Sequence, residues 1–186
     1  KKRLPARLHQ PLGASAAVNA VWALDFMSDA LWNGRRFRTL NALDEGVREG
    51  LAIEVDTSLP AKRVIRVLER LGAARGLPAA LRMDNGPEFI AQELVDWCQA
   101  RGIEMRYIQP GKPDQNAYIE RFNRTVRDEV LNAYVFEDLD QVREITAAWL
   151  KTYNEERPHE ALGRQPPAVF LARIETGKNS TSDLST

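Results

Sequence analysis

Between Val21 and Asp56 the apolar positions fall in three short runs, VWALDFM, RFRTLNAL and LAIEVD, separated by turn formers. Each run is too brief for a helix and has strand character. VWALDFM is almost unbroken, as expected of a strand covered on both faces. Asn33-Gly34 ahead of the second run is a hairpin signal. In LAIEVD, Leu51, Ile53 and Val55 alternate onto one side, and Glu45-Gly46 and Glu49-Gly50 supply turn positions. Short turns between consecutive strands predict an antiparallel meander.

Beyond Pro60 the period changes. Val64, Val67, Leu68 and Leu71 recur at helical spacing, and Gly72 and Gly76 help end that helix. AALRMD reads as a fourth strand. Ile90, Leu94, Trp97 and Cys98 form a second helical stripe, closed by Gly102, and IEMRYI alternates as a fifth strand stopped by Pro110. The loop GKPDQN precedes a helix from about Ala117 to Asn132. Asp138 then reads as an N-cap with Gln141 three residues on. Leu139, Val142, Ile145, Trp149 and Tyr153 form the next stripe. The order β-β-β-α-β-α-β-α predicts an α/β fold, a mixed five-stranded sheet with helices on both faces. The core should span residues 21–172. Residues 1–20 read as a basic connector or the remnant of a preceding DNA-binding region. Residues 173–186, with little to bury, read as a disordered tail.

The 186 residues suit one domain with extensions, and 44% of them are apolar, enough for a core. No apolar run reaches the length of a membrane span. Cys98 is the only cysteine, which excludes an internal disulfide and makes a reducing, cytoplasmic setting the default expectation. The 26 basic and 26 acidic residues cancel, but not locally. Residues 1–10 carry Lys1, Lys2, Arg3 and Arg7 with no acid, and residues 101–127 carry six basic residues against three acids. Such patches allow a nucleic-acid partner without requiring one.

Three carboxylates stand out. Asp25 interrupts the apolar run VWALDFM, and a buried carboxylate needs a metal or an arginine beside it. Asp84 follows a strand and opens Asn85-Gly86-Pro87. It is either a plain turn residue or a ligand at a strand end, where open α/β sheets place their sites. Glu120 lies on a helical stripe with Asn116, Asn123, Arg124 and Arg127. That stripe is either an exposed ion-pair ladder or a metal ligand flanked by phosphate-binding groups. Glu88 competes for a supporting or DNA-facing role, and Asp29 and Asp56 are weaker alternatives. Between Asp84 and Glu120 lie 35 residues.

WALDF, MDNGPEF, PGKPDQNAYIERFNRTVRDE and YNEERPHEALGRQPP, in that order and with that spacing, resemble the catalytic core of bacterial insertion-sequence transposases, the DDE group with a retroviral-integrase-like core. The resemblance covers roughly Trp22 to Phe170. It implies an RNase H-like fold. It implies that Asp25, Asp84 and Glu120 are catalytic and bind Mg²⁺ or Mn²⁺, two ions in the active complex. It implies DNA contacts by the Gly111–Asn116 loop and Arg127; with Lys112, Asn116, Arg121 and Arg124 these are the candidate DNA-binding residues. The activity implied is cleavage of DNA at element ends and joining of the 3′-OH to target by in-line phosphoryl transfer, in a homo-oligomer. The alternatives are a non-catalytic DNA-binding or assembly module and a simple nuclease of the same fold. The chain departs from the family at Asp44-Glu45-Gly46-Val47-Arg48, where relatives look to have Asp-x-aromatic-Ser-Arg, and it lacks the helix-turn-helix expected ahead of the core.

Other conspicuous residues suit structural roles. Trp22, Trp97 and Trp149 have the phase of core positions, whereas Trp32 sits beside a hairpin turn. Cys98 lies on a core stripe, and His159 in Arg157-Pro158-His159 reads as a turn residue rather than a metal ligand, since no second histidine stands at ligand spacing.

Overall fold

The structure is a computed structural model that describes residues 17–109 and 116–182, with side chains as far as Thr176. The calls on the Lys1–Ala16 arm and on the Gly111–Gln115 part of the loop, Lys112 included, lie outside the described residues.

The meander forms as the pattern predicts. Strands β1 (Val21–Ala30), β2 (Arg36–Asp44) and β3 (Glu49–Asp56) pair antiparallel, with Asp25 opposite Asn41. Gly34 takes φ +83° in the first turn, a conformation that favours glycine. Strands β4 (Ala80–Met83) and β5 (Glu104–Tyr107) add in parallel on the other side of β1, and the order is β3-β2-β1-β4-β5. β1 is thus central, which explains its near-continuous apolar run.

β3 departs from simple alternation. Ala42 pairs with Ala52 but Leu43 pairs with Gly50, so Leu51 is the extra residue of a bulge. Leu51 therefore packs with one core while Ile53 and Val55 pack with the other.

Those two cores lie on opposite faces of the sheet. Trp22, Leu24, Leu40 and Leu81 meet helices α1 (Ala61–Arg75) and α2 (Gln92–Ala100). In α1, Val64, Val67 and Leu68 are buried as the spacing requires. In α2, Leu94, Trp97 and Cys98 are buried, but Ile90 is 55% exposed. The amides of Phe89 and Ile90 both bond back to the Gly86 carbonyl in a tight turn before the helix, and Phe89 takes the core position instead.

On the other face, Ala23, Met27, Phe37 and Val55 meet α3 (Ala117–Val126) and α4 (Leu139–Glu155). α3 continues as a π-helical turn, Arg127–Leu131, closed by the Asn132 amide on the Arg127 carbonyl at 2.8 Å. Asp138 caps α4 by accepting from the Gln141 amide, and Gln141 returns a bond to the Glu137 amide, both at 2.8 Å. Near its end α4 is tied to β3: the Asn154 side chain accepts from Gly50 N–H and donates to Gly50 C=O. The approach is close because Gly50 has no side chain. A Cβ there would lie 2.5 Å from Leu150 Cδ1 and 2.8 Å from Phe122 Cε2.

A short 3-10 turn, Glu160–Leu162, leads into α5 (Pro167–Ser182). α5 is helical past residue 173, where the composition predicted disorder. Intrahelical bonds carry it on, and the Thr176 hydroxyl donates back to the carbonyls of Ala172 and Arg173. Trp22 and Trp97 are buried as expected, and Trp32 is 69% exposed.

Candidate active site

Asp25 lies mid-way along β1 on the face shared by Ala23 and Met27, the face covered by α3. Its Oδ1 accepts from the Phe26 amide at 2.8 Å and its Oδ2 from Asn123 Nδ2 at 2.7 Å. Asn123 in turn accepts from Asn41 Nδ2 at 2.7 Å. Three polar residues from two strands and one helix are therefore chained together inside the apolar layer, and their order fixes which way the Asp25 carboxylate points. Burial pushes the Asp25 carboxyl up to about 6, opposed by the Phe26 amide and Asn123 and reinforced by the negative charges of Asp84 and Glu120.

Asp84 is the first residue beyond β4 and is exposed. Its Oδ1 accepts from the Gly86 amide at 2.9 Å, so the turn reading holds. That does not remove it from the site, since its charge is felt at Asp25. A Cβ on Gly86 would stand 2.9 Å from Asp84 Oδ1, so a side chain there would displace that carboxylate.

Glu120, half-buried on α3, forms with Asp25, Ser28, Asn123, Arg124 and Arg127 the wall of an open cleft of about 430 Å³. Asp84 is not part of that wall. Among the described residues, no three His, Cys, Asp or Glu side chains are placed to hold one ion together. The chemistry of the donors still fits a hard divalent cation. All are carboxylate oxygens, and the central one resists ionisation chiefly because it is desolvated, with the charges of Asp84 and Glu120 adding to that.

The helical stripe is turned further inward than its polarity suggested. Asn116 is only 3% exposed at the head of α3. Asn123 is 8% exposed, occupied with Asp25 and Asn41. Arg127 is tied across the cleft mouth to Asp29 Oδ2 at 2.6 Å and to the Ser28 carbonyl at 2.9 Å. The cause is that a stripe beside a strand-borne carboxylate finds partners in the sheet. Arg124 stays exposed in the cleft, its guanidinium without a partner among the described residues. Arg121 points away from it, to a separate pocket. Glu88 is ion-paired with Arg38, whose hydrogen bond and charge outweigh burial and hold the Glu88 carboxyl below its usual range. Asp56 lies near Arg63 and Arg143.

The integrase core domain model matches residues 15–113, and a second integrase core domain model matches residues 101–167. This chain belongs to the integrase core family. The integrase core is 44% identical over 176 residues to the insertion element IS476 uncharacterized 39.2 kDa protein of Xanthomonas euvesicatoria, covering 95% of this chain and 51% of that protein. It is 44% identical over 164 residues to the insertion element IS407 uncharacterized 31.7 kDa protein of Burkholderia multivorans, covering 88% and 59%. The chain thus spans little more than half the length of either relative. Among solved structures, the HTLV-2 integrase catalytic core in complex with magnesium superposes with TM-score 0.65 at 18% identity, covering 82% of this chain and 96% of that one. The BIV integrase catalytic core gives TM-score 0.62 at 23% identity, covering 86% and 99%. The integrase core's mixed sheet, which the element order predicted, is therefore RNase H-like, as the resemblance implied. Among the described residues, no helix is long and apolar enough to cross a membrane.

Asn41 was invisible to the sequence reading, although a signal existed. LNAL sets one amide in an apolar strand, and the register puts it directly across from Asp25. An unmatched polar residue in such a run needs a buried partner.

Proposed function

We propose that this integrase core is the catalytic part of a DNA transposase, acting on phosphodiester bonds through Asp25, Asp84 and Glu120. One observation carries the reading: a half-buried carboxylate on the central strand, fixed by two hydrogen bonds, stands in the field of two further carboxylates at the edge of an open cleft. An arrangement that costs stability when empty is explained by a divalent cation that neutralises it.

Bound between these carboxylates, Mg²⁺ or Mn²⁺ would activate a water or 3′-OH and stabilise the leaving oxygen. The chain's own residues do the positioning. Phe26 N–H and Asn123 hold Asp25 in one orientation, and Asn41 holds Asn123. Arg124 is placed to attract a scissile strand's phosphate without reading its base. Phosphoryl transfer needs little more than such positioning and charge neutralisation. Cleavage and joining are both in-line attacks on phosphorus, so one site can serve both. The insertion-element relatives and the magnesium-bound integrase core support this reading as kin. The ends recognised, the target and a multi-subunit assembly belong to the same proposal.

A second reading, a non-catalytic module, is favoured because, among the described residues, no three His, Cys, Asp or Glu side chains are placed to hold one ion together. The test that separates them is incubation with an element-end duplex and a plasmid in Mn²⁺. Transposition gives joined products, and a simple nuclease gives only nicks. Glu120→Gln should lose both by at least about a hundredfold while keeping its fold, in line with losing one transition-state charge contact. Full activity of that variant in Mg²⁺ sinks the triad.

A further inference from the structure

On the far flank of α3 from the cleft lies a second, more enclosed pocket of about 400 Å³. Arg48, Tyr118, Arg121, Arg157 and His159 line it, and Glu160 is its acid. Two of its polar atoms, Arg48 Nη1 and His159 Nε2, are shut off from water and have no hydrogen-bond partner. A buried guanidinium nitrogen without an acceptor is expensive, which implies an acceptor that belongs there. Arg48 is held in place by its turn and by Tyr118, whose ring centroid lies 3.6 Å from its guanidinium carbon. Arg121 has no ion-pair partner among the described residues, whereas Arg157 is already paired with Glu129 outside the pocket.

We propose that this pocket binds a phosphate group of a DNA strand through Arg48, Arg121 and His159. The ligand class follows from the lining: two guanidinium groups and an imidazole share one space with one carboxylate, a set that suits a tetrahedral oxyanion. The cations are felt there already. Burial, then Arg157, Arg48 and Arg121, hold the His159 ring below its usual range, and an anion would relieve that strain of charge.

DNA as the source follows from the helix. At about 100° per residue, Glu120, Asn123, Arg124 and Arg127 face one flank and Tyr118, Arg121, Phe122 and Thr125 the nearly opposite one. The exposed crest between them carries Arg121 and Arg124, with Asp128 as its acid. A strand leaving the cleft across that crest meets Arg124, then Arg121, then the pocket. The inference deepens the transposase reading and rests on it for the DNA. The phosphate site itself rests only on the pocket.

The chain has two histidines, His9 and His159, so ring NMR can follow the pocket directly. Inorganic phosphate and a short duplex are titrated separately into the whole chain, into Arg121→Ala, and into Arg48→Asn, which tolerates the φ of +56° at that turn. Folding of each variant is checked by its thermal transition. Both probes should shift the His159 ring. Each variant should lose duplex affinity by about tenfold and about one unit of salt slope. A ring that ignores both probes, or variants that bind duplex like the parent, overturns the site. A response to inorganic phosphate alone overturns the DNA source. Joining activity is scored in parallel: its absence with a responsive His159 counts against the catalytic reading and leaves the pocket standing, and the reverse result counts against the pocket alone.

Discussion

Asp25 makes the stability of the metal-free protein depend on pH in a defined direction. Its folded-state value of about 6 lies above its ordinary 3.8, so the folded state holds the proton more tightly than the unfolded one. The resulting stability is fully present below pH about 3.8 and is lost as pH rises through about 6. Asp25→Asn removes the charge and should make the metal-free chain more stable than the parent at pH 7, with the difference vanishing near pH 4. Urea unfolding at the two pH values measures this, and a variant weaker than the parent at both rules the argument out. Mg²⁺ should then raise the thermal midpoint of the parent but not of the variant, because only the parent presents a cation with its central carboxylate. Asp25 was legible because an acid inside VWALDFM breaks an apolar run. Asn41 and the inward turn of Asn116 were not, because an amide in sequence carries no sign of whether water or another side chain will satisfy it. The pairing of Arg127 was not legible for a related reason: its partner Asp29 is 98 residues away.

Strand and helix positions followed from periodicity because local pattern and burial agree in this chain. The failures arose where tertiary pairing overruled local pattern. Leu51 leaves the face of Ile53 and Val55 because a bulge adds a residue opposite the Ala42–Leu43 step. Ile90 leaves the α2 stripe because a turn on Gly86 brings Phe89 inward. The contact between β3 and α4 tests the packing most directly. Gly50→Ala places a methyl against Leu150 and the stiff ring of Phe122. It should cost about 1–3 kcal/mol and be read as a lower denaturation midpoint. Unchanged stability means α4 can retreat from β3 without penalty. Because Phe122 sits on α3, the same variant should also disturb the helix that carries Glu120.

The molecule is one sheet with a core on each face, and the two layers serve different ends. The α1–α2 side holds Trp22, Trp97 and the buried Cys98, whose thiol burial pushes up to about 11, so it is an inert packing group. The α3–α4 side holds every polar group argued here to touch cation or DNA apart from Asp84. The division was only partly readable beforehand, since strand patterns tell which residues are buried but not which helix covers them. Its consequence is concentrated in α3. That helix is a party wall, with the cleft of Asp25 and Glu120 in the room on one side and the pocket of Arg48, Arg121 and His159 in the room on the other. It cannot lean toward one without leaning away from its neighbour, so filling either room changes the door of the next.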